Sequence, residues 1–308
     1  MIRVSFISNF KPTMKLFLTR LVKFAAALAV VTVVLWFAAI FFQPIETHFI
    51  AVRTDEGAVR MKTEEFFGEP RTDLDYLFLG SSTCYCGVDP HALEIRGRTA
   101  FSLCSSAQRP GDSDQILDLA LTHSTPRYVV VDLYSVLLSD GPSSVECVRD
   151  WIVNGPSSDI SGGDLYNHLL KIYFELSRRL APSRTYTPAP DSDTYEGLGF
   201  VAREKPAIGK VECAEKQNVV MSVEVGLALL SMIDKAQIVF IIPPVLCPDS
   251  LVLPPSLHGI VVINGNLWPG ASSASNYYDD HHLISTGAAS YSGWLSERLI
   301  LLDTEPSL

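Results

Sequence analysis

The sequence predicts an α/β domain with a mainly parallel sheet in three α/β/α layers, preceded by one transmembrane helix. Two observations carry this prediction. An uncharged apolar run lies near the N-terminus. Beyond it, short apolar segments of strand length alternate with helical segments, a pattern whose default topology is a parallel sheet covered by helices.

The transmembrane prediction rests on residues 24–42, which read FAAALAVVTVVLWFAAIFF and carry no charge. At about 1.5 Å per residue this run is roughly 28 Å long, close to the ~30 Å hydrocarbon thickness of a bilayer. Thr32 is its one polar side chain and can bond to its own helix. Pro44 is expected to end the helix.

Charge on either side of this run predicts its orientation. The first acidic residue is Glu46, and five basic residues come before the run: Arg3, Lys11, Lys15, Arg20 and Lys23. Such an excess places residues 1–23 in the cytoplasm and the body in the periplasm or outside the cell. A cleaved signal peptide is the alternative, but the bulky exit at 41–45 lacks a small-x-small cleavage site. Met14 is a second candidate translation start.

The body is acidic, since the net charge falls from −10 to −15 without those five basic residues. An acidic surface repels polyanions, which argues against nucleic acid and anionic lipid headgroups as partners. Neutral polymers and small acyl donors remain as partners.

All six cysteines lie beyond the apolar run: Cys84, Cys86, Cys104, Cys147, Cys213 and Cys247. That position predicts disulfides, since these persist outside the cytoplasm. Six cysteines allow 15 pairings, but Cys147 and Cys213 bracket the most irregular segment, so we predict that pair. Closing this loop of about 65 residues would contribute about 4 kcal/mol. Zinc is disfavoured because the chain has no CxxC pair.

The first half of the body carries the clearest strand and helix signals. Residues 43–72 are mixed and charged and predict a membrane-proximal stalk with little core. Strands are then predicted at 76–79, 99–103 and 128–131. Helices are predicted between them, at 89–95 with Asp89 as N-cap and Pro90 at the first helical position, and at 110–123.

The second half begins with an insertion at about 140–212, rich in Ser, Gly and Pro, with one amphipathic helix at about 163–180. Regular structure is predicted to resume with a helix at 214–235 and strands at 238–242 and 258–262. A last helix at 285–302 completes a domain that spans 73–302, followed by a tail at 303–308.

Two polar clusters fall where ligands bind in an open parallel sheet, at the carboxyl ends of strands. Gly80-Ser81-Ser82-Thr83 directly follows the first strand. Its alternative interpretation is a turn with hydroxyl caps.

The other cluster, Asp279-Asp280-His281-His282, precedes the last helix. It could be a solvated helix start or a metal site, but successive side chains diverge and one short segment rarely supplies three ligands. An imidazole near a serine could instead take its proton, with an aspartate holding the ring.

Together these residues resemble the SGNH (GDSL-like) hydrolase superfamily, closest to its membrane-anchored members linked to acylation of cell-envelope polysaccharides. The shared motifs are Leu-Gly-Ser-Ser after the first strand, Gly-x-Asp-Pro at 87–90, and Asp-x-x-His-Leu at 279–283 followed by Gly287-Ala288. The resemblance covers about 73–138 and 214–302. It implies a flavodoxin-like sheet without a cofactor or metal.

The resemblance assigns three roles: Ser82 as nucleophile, His282 as base and Asp279 as the residue that orients His282. The family's usual oxyanion donors, a Gly in the second block and an Asn after the third strand, are replaced here. Ser106, Gln108 and Ser135 are the candidate donors. One missing donor typically costs ~10²–10³ in rate.

The function expected from the resemblance is that of an esterase or O-acetyltransferase acting on an envelope or exported polysaccharide. A membrane protein that donates the acyl group is a further expected partner. The rival hypothesis is a catalytically inactive scaffold of an envelope assembly that keeps the fold and binds glycan or a partner membrane protein. Both hypotheses predict the same fold, and they differ in whether Ser82 reacts.

Overall fold

The computed structural model describes residues 10–42, 57–68, 73–138, 143–156, 172, 193–213 and 215–304. These form two compact units, one containing the N-terminal helix and one containing the body. The helices are α1 (Phe10–Phe42), α2 (Val59–Gly68), α3 (Ser82–Tyr85), α4 (His91–Glu94), α5 (Pro110–Leu121), α6 (Tyr134–Leu138), α7 (Val145–Asn154), α8 (Val223–Lys235) and α9 (Ser285–Thr304).

Helix α1 contains the whole of the apolar run at 24–42. Its segment Met14–Leu35 has a mean hydropathy of 2.0 and buries none of its side chains in the protein. By length and composition this helix can cross a membrane. Thr32 Oγ1 donates to the Leu28 carbonyl at 2.9 Å, which satisfies the hydroxyl within the helix as expected.

Five parallel strands form the central sheet of the body: β1 (Asp73–Leu79), β2 (Ala100–Ser102), β3 (Thr125–Asp132), β4 (Ile238–Ile242) and β5 (Val261–Asn264). Their spatial order is β2-β1-β3-β4-β5. The chain therefore reverses its direction of travel between β1 and β3, and such a switch point opens a crevice at the carboxyl ends of the two strands.

The sheet is buried on both faces because successive side chains point to opposite sides. Tyr76 and Phe78 of β1 join one hydrophobic cluster, which includes Leu295 of α9. Leu77 and Leu79 join the other, which includes residues of α5 and α8. The α/β class with a parallel sheet is therefore confirmed, with helices against both faces.

Several element boundaries differ from those predicted. The strands at 76–79, 99–103, 128–131 and 238–242 are present, while the fifth begins at Val261 rather than 258. Pro90 is the N-cap of α4, and Asp89 Oδ1 instead accepts from the His91 N–H at 3.0 Å. The last helix starts at Ser285 as predicted.

The helix predicted at 214–235 is wrong in its first half. Residues Asn218–Val220 are extended and pair with Ser250–Val252. Helix α8 begins only at Val223, where Ser222 Oγ accepts from the Val225 N–H at 3.3 Å and caps the helix. The serine oxygen accepts from an N–H that has no carbonyl of a preceding helical turn to donate to, so the serine favours a helix start at Val223.

Residues 57–68 lie in the predicted stalk but fold as part of the body. Helix α2 buries Val59 and Phe66 completely, against the expectation of little core. Lys62 is also fully buried, and its ammonium donates to the Cys104 carbonyl. The rest of the stalk, 43–56 and 69–72, lies outside the described residues.

The predicted insertion is described in part. Its first described element is α7, and it ends in an antiparallel pair of strands, Asp193–Gly197 and Phe200–Arg203. The turn of this pair meets the edge of the sheet, since the Ser102 N–H donates to the Leu198 carbonyl at 2.8 Å. The helix predicted at 163–180 lies almost entirely outside the described residues.

The predicted Cys147–Cys213 disulfide is wrong. Cys213 is bonded to Cys247, and a second disulfide joins Cys84 to Cys104. Cys147 is instead a buried thiol of α7, with its sulfur 3.3 Å from Ser105 Oγ. Chain entropy favours long loops, but a disulfide needs two sulfurs brought together by the fold, and α7 directs Cys147 into the core.

Candidate active site

The turn after β1 brings a serine to the switch point. Gly80 has φ +152°, and a Cβ at this position would lie 2.4 Å from the Cβ of Asp132. Only glycine allows the ends of β1 and β3 to approach so closely. Ser81 then caps α3, and Ser82 is the first residue of that helix.

Asp132, at the end of β3, binds this turn. Its buried Oδ2 accepts from Ser81 Oγ at 3.1 Å and from Thr83 Oγ1 at 2.5 Å, and its Oδ1 accepts from the Tyr134 N–H at 2.7 Å. Burial raises the pKa of Asp132 above its ordinary value, and these hydrogen bonds oppose the rise. The carboxylate thus fixes the residues on either side of Ser82.

Ser82, His282 and Asp279 form an unbroken hydrogen-bonded chain. His282 Nε2 lies 2.7 Å from Ser82 Oγ, and its Nδ1 lies 2.7 Å from Asp279 Oδ2. An ionised carboxylate accepts only, so Nδ1 carries the proton and Nε2 is left to accept from the serine hydroxyl. The structure therefore brings together three side chains, two of which are 200 residues apart in sequence.

The loop holds its aspartate through backbone bonds. Asp279 Oδ1 accepts from the N–H groups of His282 at 2.7 Å and His281 at 3.0 Å. Burial raises the pKa of Asp279, but the hydrogen bond and charge of His282, with these two amides, outweigh it and hold the pKa well below its usual range. Asp279 is accordingly ionised at neutral pH.

The pKa of the base, His282, lies below that of a solvated histidine. Burial lowers the pKa of His282 below its ordinary value of 6.5, the hydrogen bond and charge of Asp279 raise it, and the charges of His281 and Arg203 lower it further. The net lowering keeps the imidazole neutral near pH 7. A neutral imidazole is the form that can accept a proton.

Tyr278 packs flat against this imidazole. The two ring centroids are 5.2 Å apart with an interplanar angle of 1°. The Tyr278 N–H also donates to the His282 carbonyl at 3.1 Å. Sequence reasoning missed Tyr278, although an aromatic residue next to the Asp-x-x-His motif was a visible signal.

His281 and Asp280 were expected to point away from the site, and this is only partly so. His281 Nδ1 bonds to Asp280 Oδ1 at 2.5 Å, and its ring stacks on Tyr134 with centroids 5.0 Å apart. However, one ligand atom each from Asp279, His281 and His282 lie within 4.8 Å of one another. The argument that their side chains diverge is therefore wrong, but in this arrangement both nitrogens of His282 are already hydrogen-bonded to Asp279 and Ser82.

The three candidate oxyanion donors have different surroundings. Gln108 is fully buried, and its amide accepts from Ser105 Oγ at 2.8 Å and donates to Ser113 Oγ at 3.0 Å, so both ends are engaged. Ser135 Oγ is buried with no hydrogen-bond partner in the described part of the chain. Ser106 is half-buried in the turn before α5.

Helix α3 supplies a further candidate oxyanion donor, a backbone N–H, and this donor depends on neither a glycine nor an asparagine. As the first residue of α3, Ser82 has an N–H with no carbonyl of a preceding turn to accept it. The Cys84–Cys104 disulfide ties this helix to the loop that contains Ser106. The arrangement can therefore support attack of Ser82 on a carbonyl carbon.

No protein-family model matches the chain, and no curated protein matches it.

Proposed function

We propose that this chain is a serine esterase or O-acyltransferase of the SGNH type, tethered outside the cytoplasm, that acts on acetyl esters of an envelope or exported polysaccharide. The observation that carries the proposal is the hydrogen-bonded chain Ser82–His282–Asp279 at the switch point of the sheet. Nucleophile, base and orienting carboxylate in this order are recognised by geometry rather than by sequence position. The polysaccharide substrate and the acyl-donor protein follow from the family resemblance alone.

In the proposed mechanism, Ser82 Oγ attacks the acyl carbonyl while His282 Nε2 takes the hydroxyl proton. The tetrahedral intermediate collapses, the sugar oxygen leaves with that proton, and an acyl-enzyme remains. Water in an esterase, or a second sugar hydroxyl in a transferase, then attacks the acyl-enzyme and gives its proton to Nε2. Collapse of this second intermediate breaks the bond to Ser82 Oγ, which takes the proton from Nε2, and releases acetate or the acylated sugar. The ionised Asp279 stabilises the imidazolium in both halves of the reaction.

The negative oxygen of the intermediate needs donors that are already in place. We assign this role to the Ser82 N–H and to the hydroxyl or amide groups of Ser106 and Ser135. Gln108 Nε2 donates one of its two hydrogens to Ser113 Oγ, so only its second N–H remains as a candidate oxyanion donor. Two backbone or hydroxyl donors at about 2.7–3.1 Å from the oxyanion would suffice.

The proposed location is supported by helix α1, by the basic residues before the apolar run, and by two disulfides in the body. Disulfides are rare in the reducing cytoplasm. A C-terminal alkaline phosphatase fusion should therefore be active in cells. An inactive fusion, together with an active cytoplasmic reporter at the same position, would show that the orientation is the opposite of the proposed one.

The catalytic proposal is tested by labelling the full-length protein with a fluorophosphonate probe. We expect labelling of the wild type and none of Ser82→Ala, because the probe reacts with a serine whose proton is taken by an adjacent base. Wild-type protein that resists the probe and releases no acetate from acetylated polysaccharide would leave the scaffold alternative. Comparing acetate release with transfer to an unacetylated polysaccharide separates esterase from transferase.

A further inference from the structure

Two cationic side chains lie beside the loop that carries His282. The Arg203 guanidinium carbon is 5.3 Å from the ring centroid of Tyr278, and the Lys205 ammonium is 4.6 Å from the same centroid. Tyr278 in turn stacks on His282, which bonds to Ser82. Both cations are therefore separated from the reacting hydroxyl by a short chain of side-chain contacts.

Arg203 also contacts the helix of the nucleophile. Its guanidinium donates to the Tyr85 hydroxyl, and its central carbon lies 5.4 Å from the Tyr85 ring. Tyr85 is the last residue of α3, the helix that Ser82 begins. Arg203 thus contacts both the helix that begins with Ser82 and the loop that carries His282. Lys205 follows two residues later in the chain.

Lys205 differs from the other basic residues near the site. It is half-buried, and its ammonium has no hydrogen bond or carboxylate partner among the residues that the structure describes. The ring of Tyr278 stabilises a cation by about 0.5–1 kcal/mol without neutralising it. In a body that is acidic as a whole, two cations against the same ring raise the electrostatic potential locally.

We propose that Arg203 and Lys205 form an anion-binding subsite beside Ser82, which takes a carboxylate or phosphate group of the sugar that carries the ester. This inference rests on the proposed function and narrows its substrate class from polysaccharide in general to an acidic one. It departs from the neutral polymer expected from the net charge of the body, because the charge beside the site differs in sign from the net charge. The two residues have different roles in this subsite. Arg203 is fixed by Tyr85 and Tyr278, while Lys205 has its donors available for the ligand.

The test measures binding without catalysis, so that it does not depend on the proposed chemistry. Full-length Ser82→Ala protein in detergent micelles is titrated with a glucuronate oligosaccharide, with glucose 6-phosphate and with a neutral glucose oligosaccharide. Lys205→Gln, Lys205→Arg and Lys210→Gln are each combined with Ser82→Ala. Lys210 is the matched control, because it is exposed in the same segment and lies 3.7 Å from Glu212.

We expect Lys205→Gln to weaken binding of an anionic ligand by about tenfold, the low end for loss of a hydrogen bond to a charged group. Lys205→Arg should retain the affinity, and Lys210→Gln should not change it. The anionic ligand that responds identifies the group as carboxylate or phosphate. Because an exposed charge pair is screened, the effect should shrink in high salt.

The proposal is overturned if Lys205→Gln binds both anionic ligands as tightly as Lys210→Gln does. It is equally overturned if neither anion binds more tightly than the neutral oligosaccharide. These outcomes are distinct from failure of the catalytic proposal, which would appear as a wild-type Ser82 that does not react with the fluorophosphonate probe.

Discussion

The two sides of the candidate site are held in place in different ways. The serine side is fixed by residues distant in sequence: Asp132 bonds to Ser81 and Thr83 across 51 and 49 residues, and a disulfide spans the 20 residues from Cys84 to Cys104. The histidine side is fixed by its own segment, through bonds from Asp279 to amides two and three residues later.

This difference shows which perturbations each side can withstand. The position of Ser82 depends on the approach of two strands and therefore on the folded sheet. The orientation of His282 depends on a half-exposed loop, in which Asp279 accepts from the amides two and three residues later, and in which the distant Leu246 N–H donates to the Asp280 carbonyl at 2.9 Å. Mutations in the loop should consequently change chemistry at nearly constant stability, whereas mutations at the turn after β1 should reduce stability as well.

The largest effect should come from removing either reacting group. We expect Ser82→Ala and His282→Ala each to lower kcat by about 10⁶-fold, and the double variant to be hardly worse, since both residues act in one step. Acetate release, with folding checked by circular dichroism, measures this. Full activity of Ser82→Ala would contradict the catalytic proposal.

A smaller loss is expected for Asp279→Asn, about 10⁴-fold in kcat. The asparagine oxygen can still accept from the His281 and His282 amides, so the loop should keep its shape. Its NH₂ group would face Nδ1 and favour the tautomer that carries a proton on Nε2, which cannot accept from Ser82. Asp280→Asn is the control, because among the described residues its exposed carboxylate bonds to His281 alone.

The turn after β1 should instead show its effect in stability. Gly80→Ala introduces a Cβ at 2.4 Å from Asp132 Cβ in a strained backbone conformation, and we expect a loss of about 2–4 kcal/mol in unfolding free energy. Gly97→Ala is the control, since Gly97 has φ +73° but nothing within 4 Å of its added Cβ. Equal losses for the two variants in urea unfolding would show that the contact with Asp132 is unimportant.

The smallest effect concerns pH. Burial lowers the pKa of His282, so the neutral base persists below its ordinary range, and kcat/KM should reach half its plateau below pH 6.5. His281→Gln removes a neighbouring positive charge, which makes protonation of His282 easier. The acidic limb should therefore move to higher pH in this variant, and a limb that moves to lower pH would contradict the assignment.

Much of the sheet could be predicted because its signals are local. Apolar runs of four or five residues marked the strands, and the Gly-Ser-Ser and Asp-x-x-His motifs placed the three side chains at the ends of elements. From the sequence, only the absence of the asparagine usual after the third strand was apparent, and no role was assigned to Asp132 at the end of that strand. The role of Asp132 in binding Ser81 and Thr83 depends on the distance between β1 and β3, which cannot be read from the sequence.

The wrong predictions concern features decided by tertiary contacts. Cys147 was paired with Cys213 because the two bracket an irregular segment, yet Cys147 is a buried thiol of α7 and Cys213 is bonded to Cys247. The predicted stalk was expected to have little core because of its mixed, charged composition, yet Phe66 is fully buried. Tyr278 lies next to the Asp-x-x-His motif, but its stacking on His282 and the approach of Lys205 to its ring are tertiary contacts.

The Cys84–Cys104 disulfide also bears on how this protein must be prepared. Both sulfurs are fully buried, and one belongs to the helix that begins with Ser82. A body produced in a reducing cytoplasm would fold without this bond, and an inactive preparation of that kind would say nothing about the chemistry of Ser82. Under the proposed location and function, oxidation after export would be a step in maturation, and the helix that begins with Ser82 would be linked to residue 104 only outside the cytoplasm.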